Sequence, residues 1–160
     1  LVREGNMGTL ARAALDLRSS RRGLEEEVIL AVQSLAPNLS SLAGPVLAAR
    51  IISRAGGLSN LARMPSSRIQ VMGAEKSLFK HLSGHAPSPK HGIIYRHPAV
   101  SGSARRQRGK AARALAAKLA IAARLDAGGC SLSSDLAGAL SSRLSAIKQR
   151  AAKAKKPAKG

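Results

Sequence analysis

Cations recur along the stretch RRQRGKAARALAAKLAIAARLD at spacings that matter for chemistry. Counted at about 100° per residue from Arg113, Arg106 and Arg124 both fall within about 20° and Lys110 within about 60°. Four fixed positive charges on one helical stripe are suited to neutralising phosphates. Leu115, Leu119, Ala122 and Ala111 project from the opposite side, a small-residue face that lets another helix approach closely. Upstream, Pro89, Lys90, His91 and Gly92 form a tight basic turn able to lie beside that stripe. An imidazole held out from such a turn can stack on an unpaired base. Turn and stripe together read as a surface for RNA phosphates and loop bases.

Other chemistries fail on spacing. GSARRQRGKA has the glycines of a phosphate-cradling loop separated by six residues rather than four, and Ala111 stands where a magnesium-binding Ser or Thr is required. His81, His85, His91 and His97 include one helical pair, but Gly84 is expected to end that helix before His85, and Glu75 is the one nearby acid. Nucleophilic or acid/base catalysis needs a Ser or Cys beside an oriented base, or paired carboxylates. After residue 72 the acids are Glu75, Asp126 and Asp135, and Asp126 is expected to cap or pair locally. No enzymatic activity, metal or cofactor is expected.

Composition points the same way. The 160 residues suffice for one domain with a core and short extensions. The apolar fraction is mostly Ala and Leu, with one Phe, one Tyr and no Trp, a mix that favours helices over strands. The expected fold class is all-α, with a short irregular or β-like segment at Ile93 to Tyr95. Net charge is +19, which calls for a polyanionic partner. Residues 1–72 carry nine Arg and five acids, whereas residues 73–160 carry eighteen Lys and Arg and three acids, so the polyanion meets the second half. A membrane is disfavoured, because no basic helix has large apolar residues opposite its cations. Single-strand stacking folds need several aromatics on a sheet, more than Phe79 and Tyr95 supply. Cys130 is the one cysteine, and a reducing, intracellular setting fits.

Positioning these residues requires a series of helices. TLARAALDLRSSRRGLEEEVILAVQSLA carries two apolar stripes with a break expected near Ser19 to Gly23; it reads equally as the stub of a longer helical hairpin or as a bundle helix. After Pro37 a helix capped by Asn38 or Ser40 is expected to use Leu42, Val46, Leu47, Ile51 and Ile52 and to stop at Gly56-Gly57. SSRIQVM is ambiguous between helix and strand. EKSLFKHL reads as a helix with Leu78, Phe79 and Leu82 inward. The basic helix is expected from about Ala104 to Asp126. A last helix, from about Leu132 to Ala152 with Ser133 or Ser134 near its cap, uses Leu136, Leu140, Leu144 and Ile147.

GAEKSLFKHL, SPKHGIIYRHP and RGKAARALAAKLAIAARLD together resemble the Nop domain of archaeal Nop proteins, their eukaryotic nucleolar relatives and a related spliceosomal factor. PNLSSLAGPVLAARIISRAGGLSNLARMPSSRIQVMGAEK resembles the preceding part of that domain, so the resemblance spans about Pro37 to Asp126. It implies a helical module that binds a kink-turn RNA as a composite with a small kink-turn-binding protein of the ribosomal-protein-like family. It further implies that Glu75 and Lys76 meet that protein, that His91 meets RNA bases, and that Arg108, Lys110, Arg113 and Arg124 contact phosphates. Full-length archaeal relatives add a domain that recruits the methyltransferase fibrillarin and a coiled coil that dimerises. This chain begins about where the coiled coil would end, so fibrillarin is expected only as an indirect partner.

The expected organisation is therefore a helical stub over 1–36, a Nop RNA-binding domain over 37–150 and a disordered basic tail over 151–160. The RNA-binding set is Lys90, His91, Arg106, Arg108, Lys110, Arg113 and Arg124. The expected function is that of an RNA-binding scaffold in a box C/D-type small ribonucleoprotein for guided 2′-O-methylation, cytoplasmic in an archaeon or nucleolar in a eukaryote. The rival is a general basic nucleic-acid binder, DNA included.

Overall fold

Proline and glycine divide this chain into helices that are mostly short. The computed structural model describes residues 5–131 and 135–155. These contain α1 (Asn6–Leu35), α2 (Pro37–Ala43), α3 (Pro45–Ala55), α4 (Leu58–Arg63), α5 (Ser66–Val71), α6 (Glu75–Leu82), α7 (Pro98–Ser101), α8 (Arg108–Ala127) and α9 (Asp135–Lys155). A 3-10 turn, Ile93–Arg96, lies between α6 and α7, so the segment expected to be irregular or β-like is one tight helical turn. The fold is all-α.

Helix α8 is the axis. It packs against α2, α4, α5, α7 and α9, and Ala111, Ala112, Leu115, Ala116, Leu119, Ala120, Ala122 and Ala123 are all buried along it. Alanine is the strongest helix former, and its small side chain lets neighbours close in on several sides at once. Leu39, Ile51, Leu61, Ile69 and Ile94 complete the core with Leu115 and Leu119, all fully buried. Each such side chain contributes about 1.5–3 kcal/mol on burial.

Helix α2 begins with a proline at its first position and Ala36 at its N-cap, which offers no side-chain acceptor. The acceptor comes from the far end of α8. Asp126 Oδ1 accepts hydrogen bonds from the Asn38 backbone N–H (2.9 Å) and from Asn38 Nδ2 (2.8 Å), while Oδ2 accepts from the Leu39 N–H (2.8 Å). A carboxylate at this position satisfies orphan amides and complements the positive end of the helix. This corrects two expectations: Asn38 is not itself the cap, and Asp126 acts across the fold instead of locally.

Several boundaries also move. Helix α1 is continuous through Gly23, where no break occurs; an Arg21–Glu25 pair (2.9 Å) spans that point, and one interior glycine costs only about 1 kcal/mol against alanine. The single helix expected after Pro37 is two, because Gly44 takes φ +79° and Pro45 starts α3. SSRIQV is helical. Helix α6 buries none of its residues: Phe79 is 73% and Leu82 75% exposed, opposite to the inward placement expected. Helix α9 runs through residue 151 to Lys155, while residues 156–160 of the expected tail, and Ser133 and Ser134, lie outside the described residues.

Candidate nucleic-acid interface

The turn at 89–92 is built by α5. Gln70 Nε2 donates to the Lys90 carbonyl (2.8 Å), the Gln70 carbonyl accepts from the Gly92 N–H (2.9 Å), and the Ile93 N–H donates to the Met72 carbonyl (2.7 Å). A side chain at 92 would collide with the Met72 carbonyl, so this close approach of two backbones requires glycine. Lys90 and His91 are thereby held in a backbone fixed on both sides.

The same anchoring brings the turn to α8. A Cβ placed on Gly109 would lie 3.5 Å from Lys90 Cβ, ordinary contact distance. Tyr95, on the 3-10 turn, joins the two segments: the His91 ring stacks on it with centroids 4.8 Å apart and planes 22° from parallel. The Arg108 guanidinium carbon sits 5.3 Å from the Tyr95 ring centroid, within cation–π range, and Arg108 Nε donates to the Ser103 carbonyl (3.1 Å). Lys90, His91 and Arg108 therefore form one cluster, although Arg108 lies off the stripe counted from spacing. His91 differs from the expectation in one respect: it is half-buried against Tyr95 instead of held clear of the domain.

Burial lowers the His91 pKa from the usual histidine value, and the positive charges of Arg108 and Lys90 push it the same way. The imidazole is thus neutral at pH 7 and presents a flat uncharged ring amid cations. That combination suits a base face flanked by phosphates.

The remaining candidates are distributed. Lys110 and Arg113 are exposed on α8 and lie about 3 Å and 7.5 Å along the axis from Arg108. Arg106 is exposed but lies in the turn before α8, whose first residue is Arg108, so it does not belong to the helical stripe. Arg124 sits about 24 Å from Arg108 along α8, and its Nε donates to the Ala62 carbonyl at the end of α4 (3.1 Å), which gives it a structural role. Glu75 and Lys76 stand apart on α6. Glu75 accepts from the Gly73 N–H (2.6 Å) and lies 3.5 Å from Arg54; those backbone hydrogen bonds, with a smaller contribution from Arg54, lower its pKa.

Sequence reasoning missed Tyr95 and Gln70. Tyr95 falls four residues after His91, the spacing of a one-turn neighbour, and was the available signal. Nothing in the local sequence marks Gln70.

Residues 4–152 match the family model described as "Nop: snoRNA binding domain, fibrillarin". The chain belongs to the Nop family. This Nop chain is 55% identical over 115 residues to an uncharacterized NOP5 family protein of Methanocaldococcus jannaschii, covering 72% of this chain and 28% of that one. It is 43% identical over 122 residues to nucleolar protein 58 of Schizosaccharomyces pombe, covering 76% and 24%. It thus spans about a quarter of the length of these relatives. Among solved structures, a fibrillarin/Nop5p complex matches with a TM-score of 0.75 and 35% identity over 91% of this chain and 56% of that one.

Proposed function

We propose that this Nop chain is an RNA-binding scaffold of a box C/D-type small ribonucleoprotein that recognises a kink-turn RNA jointly with a small kink-turn-binding protein. The observation that carries the reading is the junction of the 89–92 turn with the start of α8, where a neutral stacked imidazole, a guanidinium and the Lys90 side chain converge. In this role Lys90, Arg108, Lys110 and Arg113 contact phosphates and His91 meets a base, with Arg106 and Arg124 at the margins.

Helix α6 supports the composite. It exposes Phe79 and Leu82 with Lys76, an apolar and charged face of the kind a protein partner covers. The work of the scaffold is binding and orientation; bond-making in guided 2′-O-methylation belongs to fibrillarin. The compartment is cytoplasmic in an archaeon and nucleolar in a eukaryote.

The net charge of +19 favours one second reading, a general basic nucleic-acid binder. A gel-shift titration with a kink-turn RNA, with and without the small kink-turn-binding protein, separates them. Affinity rises sharply with the small protein if recognition is composite; equal affinity in both arms supports the general binder.

A further inference from the structure

From Leu136 to Gly160 the chain holds seven Lys and Arg and no Asp or Glu. Leu136 and Leu140 are buried and seat α9 against α8. The neighbouring stripe of α9, with Ala139, Arg143, Ala146, Ile147 and Arg150 within about 100° of arc, is turned to a cavity of about 580 Å³ between the two helices. The α8 wall is Lys110, Arg113, Ala114, Ala117 and Lys118.

Five cations therefore surround a floor of four alanines and Ile147, and among the described residues no acid lines it. Arg143 and Arg150 are two turns apart, about 10.5 Å along α9, and Lys110 and Lys118 about 12 Å along α8. The alanines leave the trough wide, and the long basic side chains give it two parallel charged edges. Lys110 and Arg113 belong at once to this trough and to the surface assigned above to phosphates, so the two are continuous.

We propose that the groove between α8 and α9 is a second phosphate track, extending the RNA footprint from the His91 cluster onto Arg143 and Arg150. The proposal rests on RNA being the ligand of this chain. Charge decides the occupant: an acidic helical peptide also fits an apolar trough, but it would have to displace RNA from Lys110 and Arg113.

The test uses the full chain, a plain RNA duplex of about two helical turns without a kink, and a kink-turn RNA. Glutamine keeps the helix propensity of arginine, so Arg143→Gln combined with Arg150→Gln should leave the circular dichroism unchanged. It should lower the slope of log affinity against log salt on the duplex by about two, since each neutralised phosphate contributes about 0.9. Lys148→Gln, off the groove stripe on the same helix, should leave the slope within a few tenths. An unchanged slope in the double variant overturns the track, as does an equal effect from Lys148→Gln, which would mean diffuse attraction. Intact RNA binding with lost binding of a glutamate-rich helical peptide overturns it in favour of a protein site. The gain from the small protein on kink-turn RNA, measured in the same variants, reports on composite recognition separately. Loss of that gain with a reduced duplex slope spares the groove; a retained gain with an unchanged slope removes the groove alone.

Discussion

The 89–92 turn and helix α6 are separated by only a few residues, yet they are finished to different degrees. The turn is fixed by Gln70, by the Met72 carbonyl, by the Tyr95 ring and by the start of α8. Helix α6 has an apolar face too, and leaves Phe79 and Leu82 exposed on it. If the turn reads RNA as proposed, it gains from rigidity, because a stacked ring already in place loses little freedom on binding. Under the composite reading proposed above, a face covered by a protein gains from being left open, since its burial then supplies the association energy.

The largest effect that bears on this contrast comes from the frame holding both regions. Asp126→Ala removes the carboxylate that accepts from the Asn38 and Leu39 backbone amides in a buried site, each costing about 1–3 kcal/mol; chemical denaturation should show a loss of at least about 2 kcal/mol. Next is Phe79→Ser. Because Phe79 is exposed, the stability of the isolated chain should change by no more than about 0.5 kcal/mol, while assembly with the small protein on kink-turn RNA should weaken by about 2 kcal/mol. Unfolding by Phe79→Ser would show that α6 is packed internally and erase the contrast.

His91→Ala should weaken RNA binding by about 1–3 kcal/mol with the salt slope unaltered, and His91→Phe should retain much of the affinity. Tyr95→Ala should reproduce the loss by releasing the ring, which a purely independent His91 would not. The smallest effect is a pH dependence at His97. Its Nδ1 accepts from the Ala99 N–H (3.1 Å) and its Nε2 donates to the Leu42 carbonyl (3.1 Å), an arrangement for the neutral ring. Burial lowers its pKa from the usual histidine value. Its contribution is therefore complete above about pH 6.5 and is lost as pH falls through the folded-state pKa. His97→Asn should flatten that part of the stability profile.

Much of this was legible in the sequence. The buried face of α8 followed from helical spacing, and the turn read as one able to lie beside the basic stripe. The start of α8 did not. Ser103 Oγ donates back to the Ala99 carbonyl and Arg108 Nε to the Ser103 carbonyl, so residues 102–107 are used in turning from α7 into α8, and Arg106 leaves the stripe. Periodicity in EKSLFKHL identified an apolar face but carries no information on what covers it. The half-burial of His91 depends on Tyr95 folding back by a single 3-10 turn, where the sequence suggests an irregular or β-like segment.

The carboxylate of Asp126 also sets an order of events. Helix α2 has seven residues and begins with proline, far too short to persist in isolation, and its cap lies 88 residues downstream of Asn38. A chain emerging from the ribosome exposes residues 37–43 long before residue 126 follows. The front of the domain thus waits for its back, and a nascent chain cut anywhere before Asp126 lacks the group that closes its first core helix.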